Sequence, residues 1–156
     1  MEFYIYTDGA SRGNPGESAS GYYVFDKDYR LVLKKVFYNG VKTNNFAEYN
    51  AILNALKKVS EDYGFENEVE VISDSEVAVK QINGLYKVKN EALRPLNREV
   101  KSIAKRFKKC TFRNVARENK YVSAVDRDLN RLLDKIKKDE SKIYKGGKEE
   151  EKQKKL

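Results

Sequence analysis

The sequence predicts an α/β fold: a five-stranded mixed sheet with helices packed on its faces. Three observations carry this. Three strand-like runs follow one another near the N-terminus, which suits an antiparallel meander. Helical periods then alternate with two further strands, which suits helix-linked parallel strands. Finally, 156 residues with 40% hydrophobic side chains suffice for one domain with a core, and are too few for two comfortable ones.

Residues 2–7 read as the first strand, which delivers Asp8 into a glycine-rich turn, Gly9-Ala10-Ser11-Arg12-Gly13-Asn14-Pro15-Gly16. Residues 19–25 and 30–38 form the next two strands, with Asp26-Lys27-Asp28-Tyr29 as their hairpin turn and Gly40 to Asn45 as a loop. Residues 46–59 repeat at helical spacing, with Phe46, Tyr49, Ile52, Leu53, Leu56 and Val59 on one side. Residues 68–73 alternate as a fourth strand, and a short helix follows over Glu76 to Ile82. Gly84 breaks that helix. Pro95 suits a first helical turn, so the next helix runs from Pro95 to Phe107, burying Leu96, Val100, Ile103 and Phe107. Residues 111–116 make the fifth strand, and a last helix spans Ser123 to Lys138 with Val125, Leu129, Leu132, Leu133 and Ile136 inward. The reading divides the chain into a domain over residues 1–140 and a charged, disordered tail over 141–156.

Composition excludes several classes. No apolar run is long enough to span a bilayer, and the N-terminus lacks the pattern of a signal peptide. One cysteine, Cys110, cannot form an internal disulfide, and with no histidine it cannot build a structural zinc site. A cytoplasmic protein that does not engage membranes is expected. Formal net charge is +8, and residues 80–109 alone carry ten Lys/Arg against Glu91 and Glu99, so the rest of the chain sums to zero. A basic segment of this kind is either a solvated surface or a grip for a polyanion.

Four acids recur in comparable settings. Asp8 and Asp74 stand at strand ends; Glu48 and Asp126 stand near helix starts. Each has an ordinary structural explanation. Asp-Gly is a common turn, Glu48 is spaced from Asn45 as in a capping box, Asp74-Ser75 resembles a helix N-cap, and an acid early in a helix suits the macrodipole. Their shared placement points elsewhere. In mixed sheets ligands sit outside the carboxyl ends of parallel strands, where such strand ends and helix starts gather. Four gathered carboxylates repel unless cations neutralise them. With only oxygen ligands, Mg²⁺ is the expected ion and Mn²⁺ its substitute. Two such ions can clamp a phosphodiester, and a basic surface beside them fits a nuclease.

Tyr6-Thr7-Asp8-Gly-Ala-Ser-Arg-Gly-Asn14-Pro-Gly16, Thr43-Asn44-Asn45-Phe-Ala-Glu48 and Ser73-Asp74-Ser75 resemble signature blocks of type 1 ribonuclease H, and Asn119 to Asn130 resembles its last block more loosely. The resemblance covers about residues 2–135. It implies a ribonuclease H-like fold and a two-Mg²⁺ endonuclease that cuts the RNA strand of an RNA–DNA hybrid, leaving 3′-hydroxyl and 5′-phosphate ends. By the same resemblance Asp8, Glu48, Asp74 and Asp126 hold the metal, and Asn14, Thr43, Asn44 and Asn45 contact the hybrid. Asp128 could serve in place of Asp126; Asp126 is preferred because Asn130 then follows four residues later, as in the family pattern.

The chain departs from the family in two further respects. The loop Val115 to Lys120 lacks the histidine that many members carry there, leaving Arg117 or Glu118 to substitute. The long basic handle is also absent, so Lys87, Lys89 and the following helix must supply grip. A monomer with little sequence preference is expected. The alternatives are another nuclease on the same fold, acting on double-stranded RNA or junctions, or a non-catalytic nucleic-acid-binding domain.

Overall fold

The computed structural model describes the backbone of residues 1–145 and side chains as far as residue 140. Nine elements follow in order: β1 (Glu2–Gly13), β2 (Gly16–Asp26), β3 (Leu31–Lys42), α1 (Asn44–Tyr63), β4 (Glu68–Ser73), α2 (Glu76–Ile82), α3 (Leu93–Ala104), β5 (Lys109–Asn114) and α4 (Lys120–Lys145). The sheet order is β3-β2-β1-β4-β5. β1, β2 and β3 are antiparallel neighbours, whereas β4 runs parallel to both β1 and β5. The expected meander plus helix-linked parallel strands is the observed topology.

Strand alternation divides the core in two. Phe3, Ile5, Tyr22, Val24, Val69 and Val71 face α1, α2 and α3, where they meet Tyr49, Ile52, Leu56, Val59 and Val100. Tyr6, Ala19, Tyr23, Phe25 and Ile72 point the other way, onto Val122, Val125, Leu129 and Leu133 of α4. No described helix is long and apolar enough to cross a membrane.

The observed boundaries differ from the predicted ones in ways that matter for function. β1 does not end at Asp8. It continues to Gly13, paired with β2 as far as Gly13↔Gly16, so the glycine-rich stretch is a long hairpin arm with Asn14-Pro15 at its tip. Backbone pairing with β2 holds a segment whose turn-like composition argued for a loop. β3 likewise runs past Gly40, whose φ of +80° permits a bulge that restores pairing to Lys42.

α1 begins at Asn44, and its cap is Thr43, whose Oγ1 accepts from the Phe46 N–H at 3.1 Å. α3 starts at Leu93 and ends at Ala104, which buries Leu93, Asn97 and Val100 and leaves Leu96 and Ile103 half-buried. β5 lies at 109–114, two residues earlier than expected. α4 starts at Lys120 and continues to Lys145, seven residues beyond the predicted end, taking the first residues of the proposed 141–156 tail with it. The rest of that tail lies outside the described residues.

Candidate active site

The last parallel pair between β1 and β4 is Thr7↔Ser73, and one residue further along each strand stand Asp8 and Asp74. Their side chains follow Tyr6 and Ile72 onto the α4 side of the sheet by simple alternation. β1 then proceeds with β2 alone, so the two acids sit where the parallel sheet opens.

Glu48 arrives from α1, whose first turn presses against β1. A side chain at Gly9 would place its Cβ 2.3 Å from the Ala47 carbonyl carbon, so only glycine permits this approach. One carboxylate oxygen from each of Asp8, Glu48 and Asp74 lies within 4.8 Å of the others. Asp126 lines the same cavity of about 350 Å³, together with Gly9, Ala10, Asn44, Ser75 and Arg117.

The ordinary explanations for these acids do not survive in detail, because other residues perform the capping. Thr43 caps α1, making Glu48 the fifth helical residue and not the partner of a capping box at Asn45. Ser75 caps α2, its Oγ accepting from the Ala78 N–H at 3.2 Å. Asn119 accepts from the Tyr121 and Val122 N–H groups at the start of α4, which leaves Asp126 in the second turn. The helix dipole is weak there.

Asp8 and Glu48 are only 4% and 5% exposed. Burial pushes the Asp8 carboxyl up to about 11, helped by the negative charges of Glu48, Asp74 and Asp126. Burial likewise raises Glu48 to about 8, and it raises Asp74 less. Glu48 Oε2 is buried and has no hydrogen-bond partner. An orphaned carboxylate oxygen among raised acids is costly unless a cation meets it. The donor set is all oxygen, and so fits a hard divalent ion.

Asp126 and Asp128 part company on α4. Asp128 accepts from the Tyr23 hydroxyl and pairs with Lys34 at 3.4 Å, away from the cavity, whereas Asp126 lines it. From the histidine-free loop, Arg117 lines the cavity and Glu118 does not.

The residues expected to contact a hybrid divide into two groups. Asn14 and Asn44 are brought together: the Asn44 N–H donates to Asn14 Oδ1 at 3.0 Å, and Asn44 Oδ1 accepts from the Ser11 N–H at 3.1 Å. Thr43 is half-buried in its cap, and Asn45 is exposed beside it. Lys87 and Lys89 are exposed on the connection between α2 and α3 and do not line the acid cavity.

Sequence reasoning missed a buried polar chain behind that connection. Asn97 Nδ2 donates to the Tyr49 hydroxyl at 3.1 Å, and Tyr49 donates to Gln81 Oε1 at 2.7 Å. The available signal was Asn97 and Gln81 standing at apolar phases of their helices.

Residues 6–125 match the family model described as Reverse transcriptase-like. Ribonuclease HI of Halobacterium salinarum is 38% identical over 91 residues, covering 58% of this chain and 45% of that protein. This chain therefore spans less than half of that relative. The crystal structure of RNase H1 from the same halophilic archaeon superposes with a TM-score of 0.79 at 30% identity, over 86% of this chain and 99% of that one. LC11-RNase H1, crystallised with an RNA/DNA hybrid, gives 0.74 at 33% identity, over 84% and 99% of the two chains. On these matches, the chain belongs to the type 1 ribonuclease H family.

Proposed function

We propose that this protein is a metal-dependent endonuclease that hydrolyses the RNA strand of RNA–DNA hybrids, leaving 3′-hydroxyl and 5′-phosphate ends. The observation that carries the reading is the convergence of Asp8, Glu48 and Asp74 within 4.8 Å, with Asp126 on the same cavity. These four would hold two Mg²⁺ ions, or Mn²⁺ in their place. Ions held there supply a water acidified for attack on phosphorus and charge stabilisation at the departing 3′ oxygen.

The chain's own residues do the rest. Asn44 presents its amide at the wall of the acid cavity and is tied to Asn14 at the hairpin tip, with Thr43 and Asn45 at the same helix start. Such groups suit 2′-hydroxyls and sugar-phosphate backbone in a wide minor groove, with little sequence preference. Lys87 and Lys89 meet phosphates further along. Arg117 faces the acids and moderates the rise at Asp74. A guanidinium cannot accept a proton, so Arg117 holds phosphate charge and does not take over a histidine's proton transfer. The reading assigns catalysis to residues 1–140, in a cytoplasmic monomer. A lone Cys110, whose thiol burial pushes up, agrees with a reducing compartment.

The test is a panel of labelled RNA–DNA hybrid, duplex RNA, duplex DNA and a four-way junction, each with Mg²⁺ or chelator. Cleavage confined to the RNA of the hybrid, and abolished by chelator, is the expected result. Preferred cleavage of duplex RNA or the junction transfers the fold to another nuclease. Salt-sensitive binding that chelator leaves unchanged, with every substrate intact, makes it a binding domain.

A further inference from the structure

Asp126 is the acid with least support from the sheet. It is half-buried on α4 and meets the Asp8 carboxyl, and two residues outside the four acids hold it from the other side. Asn130, one turn further along, donates its Nδ2 to Asp126 Oδ1 at 3.0 Å and to the Asp126 carbonyl at 2.9 Å. Arg12, from the hairpin arm of β1, donates its Nη2 to Asn130 Oδ1 at 3.2 Å and to the Asn130 carbonyl at 3.1 Å. The same nitrogen pairs with Asp134 at 2.7 Å. Asp126, Asn130 and Asp134 recur at intervals of four and so form one stripe of α4, facing Arg12.

The chemistry of this chain has a direction. A side-chain amide carries an acceptor at one end and donors at the other, and either end can face a given neighbour. A guanidinium only donates. Arg12 therefore obliges Asn130 to turn its oxygen toward the hairpin, which obliges its NH₂ to face Asp126. Without Arg12 only the two acceptors of Asp126 hold the amide in that direction, and its oxygen is left without a donor. The bridge from Arg12 to Asp134 is exposed, and pairs of that kind add little to stability, too little to make docking of α4 the whole purpose.

The hairpin tip carrying Arg12 is also stitched to α1 through Asn14 and Asn44. One arm thus touches both flanks of the cavity.

We infer that Arg12 and Asn130 are positioning residues: Arg12 sets the orientation of the Asn130 amide, and Asn130 sets the carboxylate of Asp126 for metal binding. The inference rests on the metal site proposed above.

The test uses Asn130→Ala, Asn130→Asp, Arg12→Ala, Arg12→Lys and the Arg12→Ala/Asn130→Ala pair. Hybrid cleavage is measured as kcat and KM with Mg²⁺, and Mn²⁺ binding is measured by calorimetry without substrate. Asn130→Ala is expected to lower kcat by about 10- to 100-fold, with KM within about 2-fold. Arg12→Ala is expected to lower kcat by a smaller factor, and Arg12→Lys by less still. The pair should be no worse than Asn130→Ala, because Arg12 acts through Asn130. Asn130→Asp should fall below Asn130→Ala, since it sets a second carboxylate beside Asp126. Mn²⁺ affinity should weaken in the same order.

Multiplicative losses in the pair, a rise in KM with kcat intact, or unchanged Mn²⁺ affinity would each overturn the relay. Arg12 is exposed, so its variants remain informative should Asn130→Ala fold poorly. If the wild-type protein cleaves no hybrid, the functional reading fails while the Mn²⁺ arm still decides the relay.

Discussion

Three of the four acids and the fourth are built in opposite ways. Asp8 stands on β1, Glu48 on α1 and Asp74 directly after the end of β4, so all three are carried by elements packed into the sheet and its larger core. Burial raises all three, with repulsion from neighbouring acids, Asp126 among them, adding to it. Asp126 stands on α4, which among the described residues is the helix packed against the other face; it is half-buried, and its carboxylate is held by the Asn130 amide beside Asp8. The difference separates two tasks. The trio, with Asp8 and Glu48 buried and Asp74 half-buried, is a charge trap that the fold pre-organises. The fourth acid is an adjustable arm, and its geometry depends on side chains.

Breaking the trio should have the largest effect. Asp8→Asn is expected to lower Mg²⁺-dependent hybrid cleavage by about 10³-fold or more, because several kcal/mol of transition-state stabilisation depend on the metal site. The same substitution should raise the metal-free protein's stability by about 2 kcal/mol, since it removes a buried carboxyl that must keep a proton the unfolded chain would release. Activity gels and denaturant melts in chelator check the two halves. A variant that loses activity and stability together would show that the trio is structural.

This arrangement was only partly legible in the sequence. Glycine, asparagine and proline after Asp8 argued for a loop, yet pairing with β2 carries the strand through to Gly13. Local composition cannot report a partner strand. Topology was better marked: β4 and α2 coincide with their predicted spans because alternation, a serine cap and Gly84 are local signals. The four acids were legible as a set, but their freedom from capping was not. That depended on Thr43, Ser75 and Asn119, and two of the three helices concerned begin two or three residues before their predicted starts. The Tyr49–Gln81–Asn97 chain was illegible because nothing local says which polar residues on apolar phases will meet.

Breaking the arm should cost less. Asp126→Asn is expected to lower kcat by about 10- to 100-fold, a positioning-scale loss, with little change in metal-free stability. Steady-state kinetics beside a denaturant melt measures both. A loss equal to that of Asp8→Asn, with equal stabilisation in chelator, would erase the distinction between trap and arm.

The pH dependence of metal-free stability sharpens the comparison further. Below about pH 4 the trio is protonated both folded and unfolded, and contributes nothing. As pH rises the unfolded carboxylates ionise first, while Glu48 keeps its proton to about 8 and Asp8 to about 11. The folded state then binds more protons than the unfolded one, so stability falls as pH rises through this window. Denaturant melts in chelator from pH 5 to 8 should show that decline. Added Mg²⁺ should flatten it, because binding displaces those protons. A metal-free stability that rose across the window would contradict the raised acids.

The smallest effect is expected two residues from the arm. Asp128 shares the helix with Asp126 but turns toward β2 and β3, where the Tyr23 hydroxyl and Lys34 stabilise its charge. Burial works against that charge, yet these partners, with Arg131, hold its carboxyl below the usual range. Asp128→Asn should leave kcat and KM within about 2-fold and cost about 1 kcal/mol, most of it below the surface-pair ceiling. Because the unfolded pKa exceeds the folded one, the stabilisation that Asp128 provides is present above about pH 4 and fades as pH falls through the folded value. That is the reverse of the trio's slope. The difference between wild-type and Asp128→Asn melts, followed from pH 6 down to 3, should therefore shrink. If it grew, or if cleavage collapsed at neutral pH, Asp128 would belong to the site and Asp126 would lose its claim to be the fourth acid.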